Sequence, residues 1–154
     1  MTVKEYLGQA HNMQRRINIL AQERDALMSR AQGNQSPQLR HDGGGGSGPS
    51  DRMRYVDAYV DIERRLDEAI DEYEMTRNKI VMEINALPDA RHAELLYLRY
   101  IKWMRLDEIA DIMRKPNGRT YSSKHIQRLH GWALAAFYKK YPNYFPKCGS
   151  NAVF

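Results

Sequence analysis

Two long stretches of the chain repeat apolar residues at alternating spacings of three and four, a pattern typical of helices that pack along one seam. The first seam contains one polar residue, Arg24, among Val3, Tyr6, Ala10, Met13, Ile17, Leu20, Leu27 and Ala31. The second contains two, Glu63 and Arg77, among Val56, Tyr59, Leu66, Ile70, Tyr73, Ile80, Ile84 and Leu87. Ser50 or Asp51 is expected to cap the second helix. The sequence therefore predicts an all-α protein that begins with a long antiparallel, coiled-coil-like helical hairpin.

A glycine-rich segment at about residues 33–50 separates the two stretches and contains GGGGSGPS. Such a run cannot hold a fixed backbone cheaply, so it is predicted to be a flexible loop within a hairpin that spans residues 1–87. Arg24 and Glu63 lie about equally far from the glycine run, 20 and 19 residues from Gly44, and an antiparallel hairpin that turns there could bring them together. The same helices are also a candidate surface for forming a homodimer.

Residues 106–130 read as two short helices joined by a turn, the outline of a helix-turn-helix motif. The first helix places Leu106, Ile109, Ala110 and Met113 on one face. Ser122 or Ser123 can cap the second helix, whose apolar stripe is formed by Ile126, Leu129, Ala133, Leu134 and Phe137. Pro88 disfavours helix at Leu87, while Asp89 can cap a further helix that buries Leu95, Leu96, Ile101 and either Leu98 or Tyr100. A helix-turn-helix domain is therefore predicted over residues 88–140, followed by a tail at 141–154.

The second helix of this motif is predicted to leave long polar side chains on its outer side. Such donors, near the start of a recognition helix, reach base edges or phosphates. The candidate base contacts are Lys124, His125, Gln127 and Arg128. The candidate phosphate contacts are Arg114, Lys115, Arg119, Tyr121, Ser122 and Ser123. The alternative for each is an exposed, solvated side chain, and for Tyr121 a residue packed at the helix cap.

The net charge of +5 is distributed unevenly along the chain. Residues 1–88 hold 12 Lys and Arg against 14 Asp and Glu, whereas residues 89–154 hold 12 against 5. No Asp or Glu follows Asp111. A basic surface favours a polyanionic partner, because each neutralised phosphate releases condensed counterions. Double-stranded DNA is therefore the predicted partner, with a basic surface that serves only solubility as the alternative.

Little in the sequence supports an enzyme, a cofactor or a metal site. His125 and His130 are five residues apart, about 140° around a helix, so they do not share a face as a zinc-binding pair four residues apart does. His130 is interpreted as a packed or hydrogen-bonded residue. The single Cys148 cannot form an internal disulfide, which favours a reducing cytoplasmic setting. No run approaches the roughly 18 apolar residues of a membrane span, so no membrane partner is expected.

Three segments of the second half resemble a known family: LRY at 98–100, DEIADIM at 107–113 and HIQRLHGWAL at 125–134. They resemble the fourth region of bacterial primary-type sigma factors, in the version carried by phage-encoded regulators of late genes. The similarity covers most of residues 87–137. These regulators place a helical coiled-coil segment before this region, and the front half of the chain is similar to that segment.

The resemblance implies sequence-specific binding to duplex DNA near phage promoters, inside the bacterial host cell, with the helix from about Ser123 in the major groove. It leaves contact with the host RNA polymerase open. The chain departs from the family in the connection RKPNGRT between Met113 and Tyr121, where such proteins usually turn in a few residues. This longer connection is expected either to form a small basic wing against the DNA backbone or to displace the second helix.

Two other functions fit the same organisation. The small subunit of a phage terminase also couples a helix-turn-helix to helical oligomerisation elements, but it serves genome packaging and would form a ring of many copies. A protein-interaction module would use the helical hairpin to bind a partner protein and would show no sequence-dependent affinity for DNA.

Overall fold

The computed structural model describes residues 1–32, 49–114 and 117–145. These parts of the chain form helices and no strand, so the all-α prediction is confirmed. In chain order the helices are α1 (Val3–Leu7), α2 (Gln9–Ala31), α3 (Pro49–Asn85), α4 (Ala90–Tyr100), α5 (Leu106–Ile112) and α6 (Ser123–Lys140), followed by a 3-10 turn (Pro142–Tyr144). Residues 33–48 of the predicted glycine-rich loop and the last nine residues of the predicted tail lie outside the described residues.

The chain divides into two compact units. One unit contains residues 13–73, and the other contains residues 1–12 together with 74–154. This division falls within α2 and α3, whereas the sequence-based domain border at Pro88 falls between α3 and α4.

The unit of residues 13–73 is an antiparallel pair formed by most of α2 and the first part of α3. Its buried apolar residues are Ile17, Ile62 and Leu66. The predicted contact between Arg24 and Glu63 is confirmed, because the guanidinium lies 3.7 Å from the carboxylate. The Tyr59 hydroxyl also donates a hydrogen bond to Glu63, at 2.8 Å. The prediction that Val56 belongs to the buried seam was wrong, because Val56 is 45% exposed. Further along α3, Ile62 is buried instead.

The other unit packs α6 against α1, α4 and α5. The predicted apolar stripe of α6 is confirmed, since all five of its residues are buried. Leu95 and Leu96 of α4 are fully buried, and of the two alternatives further along that helix the structure buries Tyr100 rather than Leu98. Burial of this many large apolar side chains supplies the main force that holds α6 in a fixed orientation.

Short polar side chains set several helix starts. Asp89 accepts a hydrogen bond from the Arg91 backbone N–H at 2.9 Å, so its predicted role as the cap of α4 is confirmed. Of the two candidates for α6, Ser122 is the cap. The predicted cap of α3 was wrong, because that helix already begins at Pro49 and includes Ser50 and Asp51. Proline is well suited to a first helical position, where its missing N–H has no partner to lose.

Candidate nucleic-acid interface

Helices α5 and α6 form the two arms of the predicted helix-turn-helix. They pack against each other through their apolar faces, which bury Ile109, Ala110 and Met113 on one side and Ile126 and Leu129 on the other. Ala110 is 4% exposed, and its small side chain permits a close approach of the two helices. One side of α6 is thereby held in the core, and the other is left to solvent.

The described parts of the connection between α5 and α6, residues 113–114 and 117–122, have a defined local structure. An antiparallel bridge pairs Arg114 with Thr120. Gly118 has a φ of +76°, a conformation that residues with a Cβ rarely adopt. The Asn117 side-chain oxygen accepts the Arg119 backbone N–H at 3.1 Å. These contacts form a small projection that carries exposed Arg114 and Arg119, while the predicted phosphate contact Lys115 lies outside the described residues.

The N-terminal turns of α6 present the candidate base contacts. Ser122 accepts a hydrogen bond from the His125 backbone N–H at 3.3 Å and leaves other N–H groups of the first turn unpaired within the helix. Both Ser122 and Ser123 are exposed. Lys124, Gln127 and Arg128 are exposed as well. The structure thus brings together on one accessible helix end the residues whose spacing indicated this site.

His125 and Tyr121 differ from the other candidates because they form an aromatic contact. Their rings stack with centroids 5.1 Å apart and an interplanar angle of 20°. Tyr121 is only 7% exposed, which is the packed cap position that the sequence left as an alternative. The Arg91 guanidinium pairs with Asp89, and this contact, with a smaller contribution from Tyr121, raises the pKa of Arg91. Tyr121 therefore supports the start of α6, and a phosphate contact by this residue stays a prediction.

Sequence reasoning did not single out Trp132 for this surface. Its side chain is 55% exposed, and its ring lies edge-on to His125 with centroids 6.4 Å apart. Trp132 follows Arg128 by four residues and Lys124 by eight, and this spacing places the three side chains along one face of a helix. The four-residue spacing of Lys124, Arg128 and Trp132 in the sequence could have indicated that Trp132 belongs to this surface.

In the described part of the chain, the basic side chains of this surface are not paired with carboxylates. Within residues 1–32, 49–114 and 117–145, no carboxylate forms an ion pair with Arg114, Arg119, Lys124 or Arg128. Side chains that are both exposed and unpaired by protein carboxylates can exchange their hydration for phosphate or base contacts without breaking an internal ion pair. The surface is suited to a polyanion.

His130 lies on another side of α6 and is packed, as the sequence predicted. Its Nε2 is 3.2 Å from the Tyr100 hydroxyl, and the two rings stack with centroids 5.9 Å apart. Burial, together with the positive charges of Lys4 and Arg99, lowers the pKa of His130 to about 4. His130 is therefore neutral at physiological pH and contributes no charge to the exposed face.

Comparisons of the chain with models of protein families, with curated proteins and with solved structures found no match. In the part of the chain that the structure describes, no helix combines the length and hydrophobicity that crossing a membrane requires.

Proposed function

We propose that this protein is a sequence-specific, double-stranded DNA-binding regulator of transcription whose recognition helix is α6. One observation carries the proposal: Lys124, Gln127 and Arg128 stand exposed on the first turns of an 18-residue helix whose opposite side is locked into the core by α4 and α5. A helix held in this way presents its side chains in a fixed geometry. Fixed geometry is what reading base edges in the major groove requires.

The side chains have distinct proposed roles. Arg128 and Lys124 can donate to the O6 and N7 acceptors of guanine, and Gln127 can pair with the N6 and N7 positions of adenine. His125, held by stacking on Tyr121, is a further base contact. Arg114 and Arg119, on the projection before α6, would bind phosphates and set the register. Lys115, Ser122 and Ser123 are also proposed to contact phosphates of the DNA backbone. The activity needs neither a cofactor nor a metal.

The regulatory role, rather than DNA packaging, rests on the resemblance of residues 87–137 to the fourth region of sigma factors. We propose a phage or prophage late-gene activator, acting in the cytoplasm of the bacterial host. Contact with the host RNA polymerase and self-association through the helical hairpin are proposed on the same basis.

Selection of bound duplexes from a random pool tests the proposal directly. The selection is carried out at about 150 mM potassium chloride, because affinity for DNA depends on the salt concentration. We expect one enriched sequence motif with the purified protein and loss of enrichment with the double variant Lys124→Ala/Arg128→Ala. Equal recovery of all sequences by the native protein would overturn specific recognition and favour a protein-interaction module. Light scattering of the same sample separates the remaining alternative, since a ring of many copies indicates packaging and a monomer or dimer indicates regulation.

A further inference from the structure

A groove in the unit that contains α6 is not used by the proposed DNA-binding surface. It has a volume of about 440 Å³ and runs between the N-terminal residues of the chain and the segment that ends α4. Its lining includes Lys4, Glu5, His11, Arg99, Tyr100 and Trp103. It is an open groove rather than an enclosed cavity, so it suits a segment of polypeptide better than a small molecule, whose sites usually enclose most of the ligand.

One side of the groove is aromatic and conformationally strained. The rings of His11 and Trp103 lie against each other, with centroids 4.2 Å apart. Trp103 has a φ of +61°, and it is the one residue other than glycine with a positive φ in the part of the chain described. This backbone conformation costs free energy in a bulky residue, and such strain often accompanies binding sites. It holds the indole at the groove, where a flat apolar side chain can pack on it.

The same groove carries positive charge. Lys4 is exposed and has no ion pair among the described residues. The Arg99 guanidinium donates to the Met104 carbonyl at 2.9 Å, which fixes its position and leaves further N–H groups available. Glu5, which also lines the groove, already accepts the Thr2 backbone N–H at 2.7 Å.

From this combination of a cationic edge and an aromatic wall, we infer that the groove docks an acidic peptide segment of a partner protein that carries an aromatic side chain next to its carboxylates. The carboxylates would pair with Lys4 and Arg99, and the aromatic ring would pack on Trp103. Charge complementarity selects this occupant over a basic or neutral segment.

The docking groove and the DNA-binding face lie on different sides of α6. His130, which contacts the groove residue Tyr100, follows Arg128 by two positions, and this step corresponds to about 200° around a helix. A peptide in the groove therefore leaves Arg128 accessible. The 154-residue chain is expected to bind DNA and the peptide at the same time.

The test uses the whole 154-residue chain and a fluorescently labelled acetyl-Glu-Phe-Glu-amide peptide. Binding is measured by fluorescence anisotropy and by the shift of the Trp103 indole N–H signal in NMR spectra. We expect saturable binding in the millimolar range or tighter and no saturable binding of acetyl-Gln-Phe-Gln-amide. Lys4→Gln should weaken peptide binding at least about threefold, within the range of a partly exposed ion pair. Trp103→Gly relieves the backbone strain while removing the ring, so it should stay folded and lose the peptide.

The matched control is Arg128→Gln, which removes one positive charge from the opposite side of α6. It should leave peptide binding unchanged while weakening DNA binding, and Lys4→Gln should do the reverse. Failure of saturable binding, equal binding of the neutral peptide, or no effect of Lys4→Gln would overturn the docking site without bearing on DNA recognition. Loss of DNA binding specificity alone would overturn the proposed function and leave the groove intact.

Discussion

The Tyr6 hydroxyl donates a 2.7 Å hydrogen bond to the carboxylate of Glu83, joining helix α1 to a residue 77 positions later in α3. Glu83 is the buried charged residue of the described chain, at 8% exposure. The Tyr141 hydroxyl donates to the Glu83 carbonyl at 3.3 Å, so residues near both ends of the chain meet at this one position. Burial, and then the contact with Glu83, raises the pKa of Tyr6 well above its ordinary value. The hydroxyl therefore stays protonated as a donor.

Replacing Tyr6 by phenylalanine tests the energetic weight of this bond. The Tyr6→Phe variant keeps the ring contacts with Phe137 and Phe145 but removes a donor from a buried carboxylate. We expect the free energy of unfolding to fall by about 1–3 kcal/mol, measured by urea denaturation. Tyr138→Phe is the control, because its ring packs on Phe145 while its hydroxyl has no hydrogen-bond partner among the described residues. Equal losses in the two variants would show that the bond to Glu83 is not stabilising.

Acidification should destabilise the protein through His130. The pKa of His130 is lowered to about 4 by burial and by Lys4 and Arg99, whereas an unfolded histidine titrates near 6.5. Because the pKa is lowered in the folded state, the contribution of neutral His130 to the free energy of unfolding is fully present above pH 6.5 and is lost as the pH falls toward 4. The loss amounts to about 2 kcal/mol across this window, from the shift and the partial exposure of the ring.

The His130→Gln variant removes this titration while keeping a polar group beside Tyr100. Its free energy of unfolding should depend less on pH between 7 and 4 than that of the native protein, in urea melts at a series of pH values. Parallel pH profiles of the two proteins would contradict the assignment of the effect to His130.

Two arginines near α6 should affect DNA binding differently. Arg128→Ala removes a proposed base contact and should reduce the preference for the selected duplex over random duplex by about 1–3 kcal/mol. Arg119→Ala removes a proposed phosphate contact and should weaken binding to both duplexes alike. The slope of log affinity against log salt concentration should become shallower by about one. Titrations at several salt concentrations measure both quantities. Arg30→Ala, the same charge change at the exposed end of α2, should alter neither. If Arg128→Ala and Arg119→Ala lowered both affinities equally, the division of roles would be wrong.

Charge reversal across the helical pair tests the contact between Arg24 and Glu63. Arg24→Glu places two carboxylates together, since the partners lie 3.7 Å apart, and Glu63→Arg places two guanidiniums together. Each single change should lower the midpoint of thermal unfolding, and the double change should recover most of the loss. The side chains are 34% and 35% exposed, so high salt should shrink all these differences. Glu72 does not pair with Arg24, so combining Arg24→Glu with Glu72→Arg should change the midpoint of thermal unfolding by the sum of the two single effects.

Residue periodicity was enough to predict much of the architecture. The helical pattern, the stripe of α6, the cap Asp89 and the pair of candidates Ser122 and Ser123 for the cap of α6 depend on local spacing and on hydrogen bonds within one turn, which the sequence displays directly. The pairing of Arg24 with Glu63 could also be predicted, because an antiparallel hairpin relates positions by their distance from the loop. The start of α3 at Pro49 was missed because Ser50 and Asp51 are typical capping residues and suggested a later start. Proline is equally suited to the first turn of a helix.

The sequence by itself determined most of the helical pattern, the apolar stripe of α6, and where positive charge accumulates, because these properties are carried by neighbouring residues. Only the tertiary structure decided that Tyr121 is packed while Trp132 is exposed, that Glu83 is the buried partner of Tyr6, and that Lys4 and Arg99 line a groove with Trp103. These relationships join residues distant in the chain or depend on how closely a helix packs on its neighbours. No local pattern encodes that closeness, since it arises from the shapes of all the side chains that share the core.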